Sequence, residues 1–187
     1  MIISETICIE RWRADSAALE QDIEMLGRVL HDCVHTGASV GFVLPFSQWD
    51  AEAYWREKIL PGARAGSCCV LVARLGERIV GTVQLETSTM PNQAHRGDVR
   101  KLLVHPEARR KGIARMLMLA IEEQARQARR SLLTLDTRTG DSAEPLYLSM
   151  GYVAIGAIPR YALNPDRTSL DATTVMYKEL PPAFSAD

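Results

Sequence analysis

Between Asp98 and Asp136 the chain reads as a strand, a proline-marked turn, a long amphipathic helix and a second strand, and this unit restricts the fold more than any other part. The first strand, Asp98 to Val104, stops at His105-Pro106. The helix, from about Gly112 to Arg129, carries Ile113, Leu117, Ala120, Ile121 and Ala128 at helical spacing. The second strand is Ser131 to Asp136. Two neighbouring strands joined through such a helix run parallel, and the crossover is right-handed.

The flanking segments add antiparallel structure. Ile2 to Trp12 reads as a strand, and Asp15 or Ser16 caps a helix whose stripe is Leu19, Ile23, Leu26, Leu30 and Val34, ending at Gly37. Gly37 to Phe42 is a small-residue loop. Ser47 caps a second helix, Gln48 to Leu60, which Pro61-Gly62 stops. Cys68 to Arg74 and Arg78 to Glu86 form a hairpin, and Thr87 to Gly97 is a polar loop. Ser142 caps a short helix to about Met150, with Pro145 in its first turn. Tyr152 to Ile158 and Thr173 to Glu179 make a last antiparallel pair around a loop from Pro159 to Ala172. The layout is α/β with a mixed, mostly antiparallel central sheet flanked by helices, forming one domain over residues 1–187.

Composition removes several function classes. The net charge is -1, so the whole molecule attracts neither nucleic acid nor a membrane. Arg109, Arg110, Lys111 and Arg115 nevertheless cluster, enough for one anionic ligand. The four cysteines and four histidines show no metal-ligand spacing; His31 and His35 lie four apart without an HExxH, so no metal is expected. Met1 to Arg13 lacks the basic start and apolar run of a signal peptide, and no apolar stretch of about 18 residues could span a bilayer. Reduced cysteines and no export signal point to the cytoplasm.

The chemistry concentrates in Val104 to Arg115. A helix start leaves backbone N–H groups unpaired and aimed outward, and the peptide dipoles make that end partly positive. It suits a pyrophosphate. Gly112 and Ala114 let phosphates approach the backbone, while Arg109, Arg110, Lys111 and Arg115 can add charged donors. The pattern is neither GxGxxG nor GxxxxGK[ST], which disfavours dinucleotides and nucleoside triphosphates.

Val99 to Ala114 resembles the coenzyme A motif of the GNAT N-acetyltransferases, and Ala143-x-x-x-Tyr147-x-x-x-Gly151-Tyr152 resembles that family's second motif. The resemblance implies a sheet splayed between the fourth and fifth strands. It implies acetyl-coenzyme A as acetyl donor, with the pantetheine arm pairing to the backbone of Leu102, Leu103 and Val104. It places the pyrophosphate on Arg109, Arg110, Lys111, Gly112, Ile113, Ala114 and Arg115, with a further contact from Ser142. Tyr147 would be the general acid that protonates the leaving thiolate, since a phenol and a thiol of pKa about 8.5 exchange a proton at little cost. Asp98 and Asp136 would stand at the mouth of the splay and take the amine's proton, Asp136 being the more buried. His95 is a spare base. The family often has asparagine seven residues before the motif tyrosine; here Gly140 stands there.

Gly37 to Phe42, Leu133 to Thr137 and the Pro159 to Ala172 region look similar to the tabtoxin-resistance branch, which implies a small amine acceptor of amino acid character. The acceptor pocket would draw on Gly37 to Phe42, Trp49, Tyr54 or Trp55, and Pro159 to Ala172, with the two tryptophans more often core anchors. The expected assembly is a monomer or homodimer. A peptide or protein acceptor, and a non-catalytic acyl-coenzyme A sensor, are the competing readings.

Overall fold

The computed structural model describes residues 6–87 and 90–181. The first four residues of the predicted N-terminal strand, 2–5, lie outside them. The strands are β1 (Ile7–Arg11), β2 (Cys68–Leu75), β3 (Arg78–Glu86), β4 (Arg96–Val104), β5 (Leu132–Arg138), β6 (Val153–Leu163) and β7 (Leu170–Glu179). They form one seven-stranded sheet in the order β1-β2-β3-β4-β5-β7-β6. Every neighbouring pair is antiparallel except β4–β5, which the long helix α4 (Ile113–Gln127) joins in parallel.

Alternation along β2 serves two cores, one on each face of the sheet. Leu71, Ala73 and Leu75 point to the face that α4 covers with Ile113, Leu117, Met118, Ile121 and Ala125. Cys68, Val70 and Val72 point to the other face, under Trp12, Trp55 and the stripe of α1 (Leu19–His35). Adjacent Cys68 and Cys69 thus separate, and all four cysteines are free thiols.

Four boundaries differ from expectation. The first helix starts at Leu19 with Ala18 as its uncapped entry; the Ser16 hydroxyl accepts instead from the Ala18 N–H, 3.1 Å. Pro61 does not stop the second helix. The chain passes from α2 (Gln48–Tyr54) through a π-helical turn (Trp55–Ile59) into α3 (Leu60–Ala65). The wide turn lets Pro61 enter as a first-turn residue, where a missing N–H costs nothing, and Gly66, at φ 75°, ends the helix. The fourth strand begins at Arg96, inside the predicted loop. The supposed loop from Pro159 to Ala172 is mostly strand. Pro159 lies on the edge strand β6 where the register with β7 breaks between Ile158 and Ala162, a position that needs no ladder donor. Residues 164–169 alone turn the chain, held by Asn164 Oδ1, which accepts from the N–H groups of Thr168 and Ser169 at 2.9 and 3.2 Å. The short helix α5 (Ala143–Ser149) lies between β5 and β6, and its N-cap residue Ser142 makes no side-chain cap.

Candidate active site

Strands β4 and β5 pair only at Arg96–Leu132, Gly97–Leu133 and Asp98–Thr134. Past that point β4 keeps β3 as its partner and β5 keeps β7, so the sheet opens. Just past that point β4 carries a bulge against β3. Arg100 faces Gln84 and Leu103 faces Thr82, so Lys101 and Leu102 share the place of one residue, and Lys101 takes φ 51°. The bulge also exchanges faces: Val99 joins the core under α4, whereas Leu103 joins the core under α1.

The opening is a cleft of about 560 Å³. Leu102, Leu103 and Val104 line one wall, Asp136, Thr137 and Arg138 the other, and Ala114, Ser142 and Tyr147 also border it. Gly81 lies behind the first wall. A Cβ there would come within 3.0 Å of the Leu103 carbonyl and 3.2 Å of both Ile113 and Leu117, so only glycine lets β3, β4 and α4 approach this closely.

The turn into α4 has the form expected of an anion cradle. Arg110 and Gly112 are left-handed, at φ 65° and 76°, and Gly112 caps the helix without any side-chain bond to its first amides. Left-handed residues interrupting a turn aim successive N–H groups to one side, as in a nest. The side chains are used less uniformly. Arg110 and Lys111 are exposed and do not line the cleft. Ile113 is 1% exposed and serves the core. Arg115 donates to Ser149 Oγ at 2.7 Å on α5. Arg109 turns back into the fold, donating to the Val104 carbonyl at 3.2 Å and to Thr36 Oγ1 at 3.2 Å. The Cys33 thiol reaches the same carbonyl at 3.4 Å, so the last carbonyl of β4 already has protein donors. Asp32 ties α1 to this turn through His105 Nε2, 2.9 Å, and also meets His31 Nδ1, 2.7 Å. Burial would raise the Asp32 pKa, but the two histidines outweigh it and leave the group below 3.8.

Tyr147 is 6% exposed and stacks edge-on against Tyr152, 5.7 Å between centroids. Burial, then the charges of Asp141 and Asp136, push its phenol well above the usual value of 10.0. It stays protonated at neutral pH, but the even exchange with a thiol expected from ordinary values does not hold.

The two aspartates separate. Asp136 lies on the cleft wall and accepts from Thr173 Oγ1 at 2.9 Å, but it is exposed where partial burial was expected. Asp98 is at the sealed end of the seam and does not line the cleft. It accepts from Arg96 at 2.7 Å and from the Thr134 hydroxyl, because the seam closes only where these three side chains meet. His95 is at that end too, its carbonyl accepting from the Ser131 N–H at 2.8 Å.

The acceptor side keeps Gly37 to Gly41 and, from the Pro159 to Ala172 region, Tyr161, Ala162, Asp171 and Ala172 of the β6–β7 hairpin. Phe42, Trp49, Tyr54 and Trp55 do not line it. Trp55 is fully buried as an anchor, but Trp49 is 73% exposed and anchors nothing. Two cationic residues escaped sequence reasoning. Arg138 braces the open end, donating to the Gly37 carbonyl at 3.0 Å and to Asp141 at 3.0 Å. Lys101 lines the cleft and donates to the Val40 carbonyl at 2.6 Å, with the rings of Phe42 and Tyr54 5.5 and 5.7 Å away. The signal for Lys101 was a charge between Val99 and Leu103, which a regular strand would place on one apolar face. Among the described residues no group of three or more His, Cys, Asp or Glu is placed to hold a metal ion, and no helix is long and apolar enough to cross a membrane.

Residues 66–154 match the Acetyltransferase (GNAT) domain. An uncharacterized N-acetyltransferase from the hisH-hisA intergenic region of Azospirillum brasilense is 32% identical over 126 residues, 66% of this chain and 73% of that protein. The chain belongs to the GNAT acetyltransferase family. It is an N-acetyltransferase, which sets the sensor alternative aside. Solved acetyltransferase structures share the fold at low identity. The protein yncA of Salmonella typhimurium, solved with its cofactor acetyl-CoA, superposes with a TM-score of 0.74 at 16% identity, covering 97% of this chain and 98% of that one. A ribosomal-protein-alanine N-acetyltransferase from Brucella melitensis gives 0.74 at 20% identity, covering 92% and 99%. An N-acetyltransferase from Staphylococcus aureus Mu50 gives 0.77 at 14% identity, covering 94% and 99%.

Proposed function

We propose that this GNAT enzyme transfers an acetyl group from acetyl-coenzyme A to the amine of a small molecule, by direct attack on the thioester. The supporting observation is that one cleft reaches the uncapped start of α4 at Ala114 and has Tyr147 on its border and Asp136 on its far wall. The pyrophosphate lies against the free amides of the turn. The acetyl-pantetheine arm runs along Leu102 to Val104, and the amide of Leu103 or Val104 donates to the thioester oxygen as negative charge develops there. Ser142 adds a contact beyond the departure at Gly140.

In the reaction the amine nitrogen lone pair attacks the thioester carbon. The tetrahedral intermediate collapses as the carbon–sulfur bond breaks, and the sulfur takes the Tyr147 proton. The surplus amine proton leaves through Asp136 or a water beside it, and the phenol is reprotonated from solvent. Asp98 takes no part, being held in the closed seam. The raised Tyr147 phenol makes donation uphill unless the thiolate beside it is destabilised equally, as burial next to the same apolar surroundings would do.

A small acceptor is favoured over a protein terminus because Tyr161 and Asp171 stand at the acceptor side, where a peptide would have to pass. The three stretches similar to the tabtoxin-resistance branch support an acceptor of amino acid type, a toxin or antibiotic among them. A cytoplasmic, single-domain enzyme is part of this reading. Coenzyme A release measured over amines and peptides tests the reading. Turnover of small amines supports it, and turnover of peptides alone overturns it.

A further inference from the structure

The charges that line the cleft are not all paired. Arg100 meets Glu86 at 3.1 Å, and Arg138 meets Asp141 at 3.0 Å and Asp171 at 3.7 Å. Arg109 is committed to Val104 and Thr36 near the phosphate turn. Among the described residues, two charged groups on the acceptor side enter no ion pair: Lys101 on the β4 wall and Asp136 on the β5 wall. They are opposite in sign, on opposite strands of the splay, and in electrostatic reach of one another.

Lys101 is also built to stay where it is. Its bulged backbone at φ 51° turns the side chain out of the ladder, and the Val40 carbonyl takes one of its three N–H bonds. The flanking rings favour a cation without neutralising it. Gly41, where a Cβ would stand 3.7 Å from Nζ, leaves the space beside the ammonium open. Keeping an ammonium partly buried without a counter-ion is costly, and that cost is recovered when an anion arrives.

We propose that Lys101 and Asp136 together form a subsite for an acceptor bearing both an amine and a carboxylate, Lys101 holding the carboxylate and Asp136 the ammonium. This rests on the acetyltransferase reading and assigns the selectivity of that reaction to Lys101. Burial, and then the neighbouring Arg100, lower the Lys101 pKa while Asp136 raises it, which accords with a strained cation awaiting an anionic ligand.

The test compares amino acids with their decarboxylated amines as acceptors. The wild-type enzyme should favour the acids by about ten- to a hundred-fold in kcat/KM, mostly through KM, as a charged hydrogen bond implies. Lys101→Met, which keeps the stem packed on Phe42 and Tyr54, should bring that ratio to about one, and Lys101→Arg should restore most of it. A purely structural lysine would lower both acceptor classes equally and leave the ratio intact. A wild-type enzyme indifferent to the carboxylate, or a ratio unchanged in Lys101→Met, overturns the subsite. Should acetyl-coenzyme A bind but no amine turn over, the parent reading fails separately. Calorimetry of the same acids and amines with the cofactor-loaded protein then decides the subsite by the same ratio.

Discussion

The seam between β4 and β5 has a stitched end and an open end, and each carries an aspartate. At the stitched end Asp98 is bound by Arg96 and Thr134, and its charge is spent on holding two parallel strands together. At the open end Asp136 has one hydroxyl partner and faces the cleft. The difference between a structural carboxylate and the one proposed for chemistry is therefore not residue type or distance from the motif. It is whether the strands still pair at that point, and the bulge at Lys101 follows a few residues after they stop.

The largest test of the open end is Tyr147→Phe. It should lower kcat by about a hundred- to a thousand-fold, the range of a lost general acid, while acetyl-coenzyme A affinity by calorimetry changes by less than about threefold. Equal loss of both would reduce Tyr147 to a packing residue. The two aspartates come next. Asp136→Asn should lower kcat/KM by about ten- to a hundred-fold with the melting temperature nearly unchanged, because the group is exposed. Asp98→Asn should do the reverse, costing about 1–3 kcal/mol of stability with kcat/KM held within about threefold. Thermal unfolding and initial rates on both variants would break the comparison if Asp98→Asn proved the more damaging to catalysis.

Gly81 sharpens it from the sheet side. Gly81→Ala presses on the Leu103 carbonyl and on α4 together, so it should cost about 1–3 kcal/mol and weaken acetyl-coenzyme A binding, both readable by thermal shift with and without ligand. Two pH effects are smaller. The Lys101 charge is lost below the usual 10.5 because burial and Arg100 disfavour it against the pull of Asp136. The KM for carboxylate-bearing acceptors should therefore climb more steeply than that of the decarboxylated amines as pH rises toward that value, since only the acids lose the Lys101 contact as well as their own ammonium. Asp32, lowered below 3.8 by His31 and His105 against its burial, contributes stability present above 3.8 and lost as pH falls through its folded value. Melting curves of wild-type and Asp32→Asn protein should converge in that acid range.

Much of this was readable beforehand, and for stated reasons. The strand–turn–helix unit announced itself through Pro106, Gly112 and a regular apolar stripe, which depend on local spacing alone. What escaped depended on register. Asp98 and Asp136 look alike in sequence; only the three-residue pairing of β4 with β5 separates them. Lys101 was passed over because a bulge is a mismatch between two strands. Pro61 and Pro159 read as breakers, yet a π-turn and an edge-strand register break absorb them. Trp49 was expected inside because tryptophans usually are, but nothing packs over its position on α2.

The account depends on acetyl-coenzyme A lying in the open end of the seam. A crystal structure of the protein with acetyl-coenzyme A tests this directly. It should place the pyrophosphate within hydrogen-bond reach of the amides from Arg110 to Ala114, with the acetyl group between Leu103 and Asp136. Phosphates bound elsewhere, or a cleft left empty at saturating ligand, would contradict it.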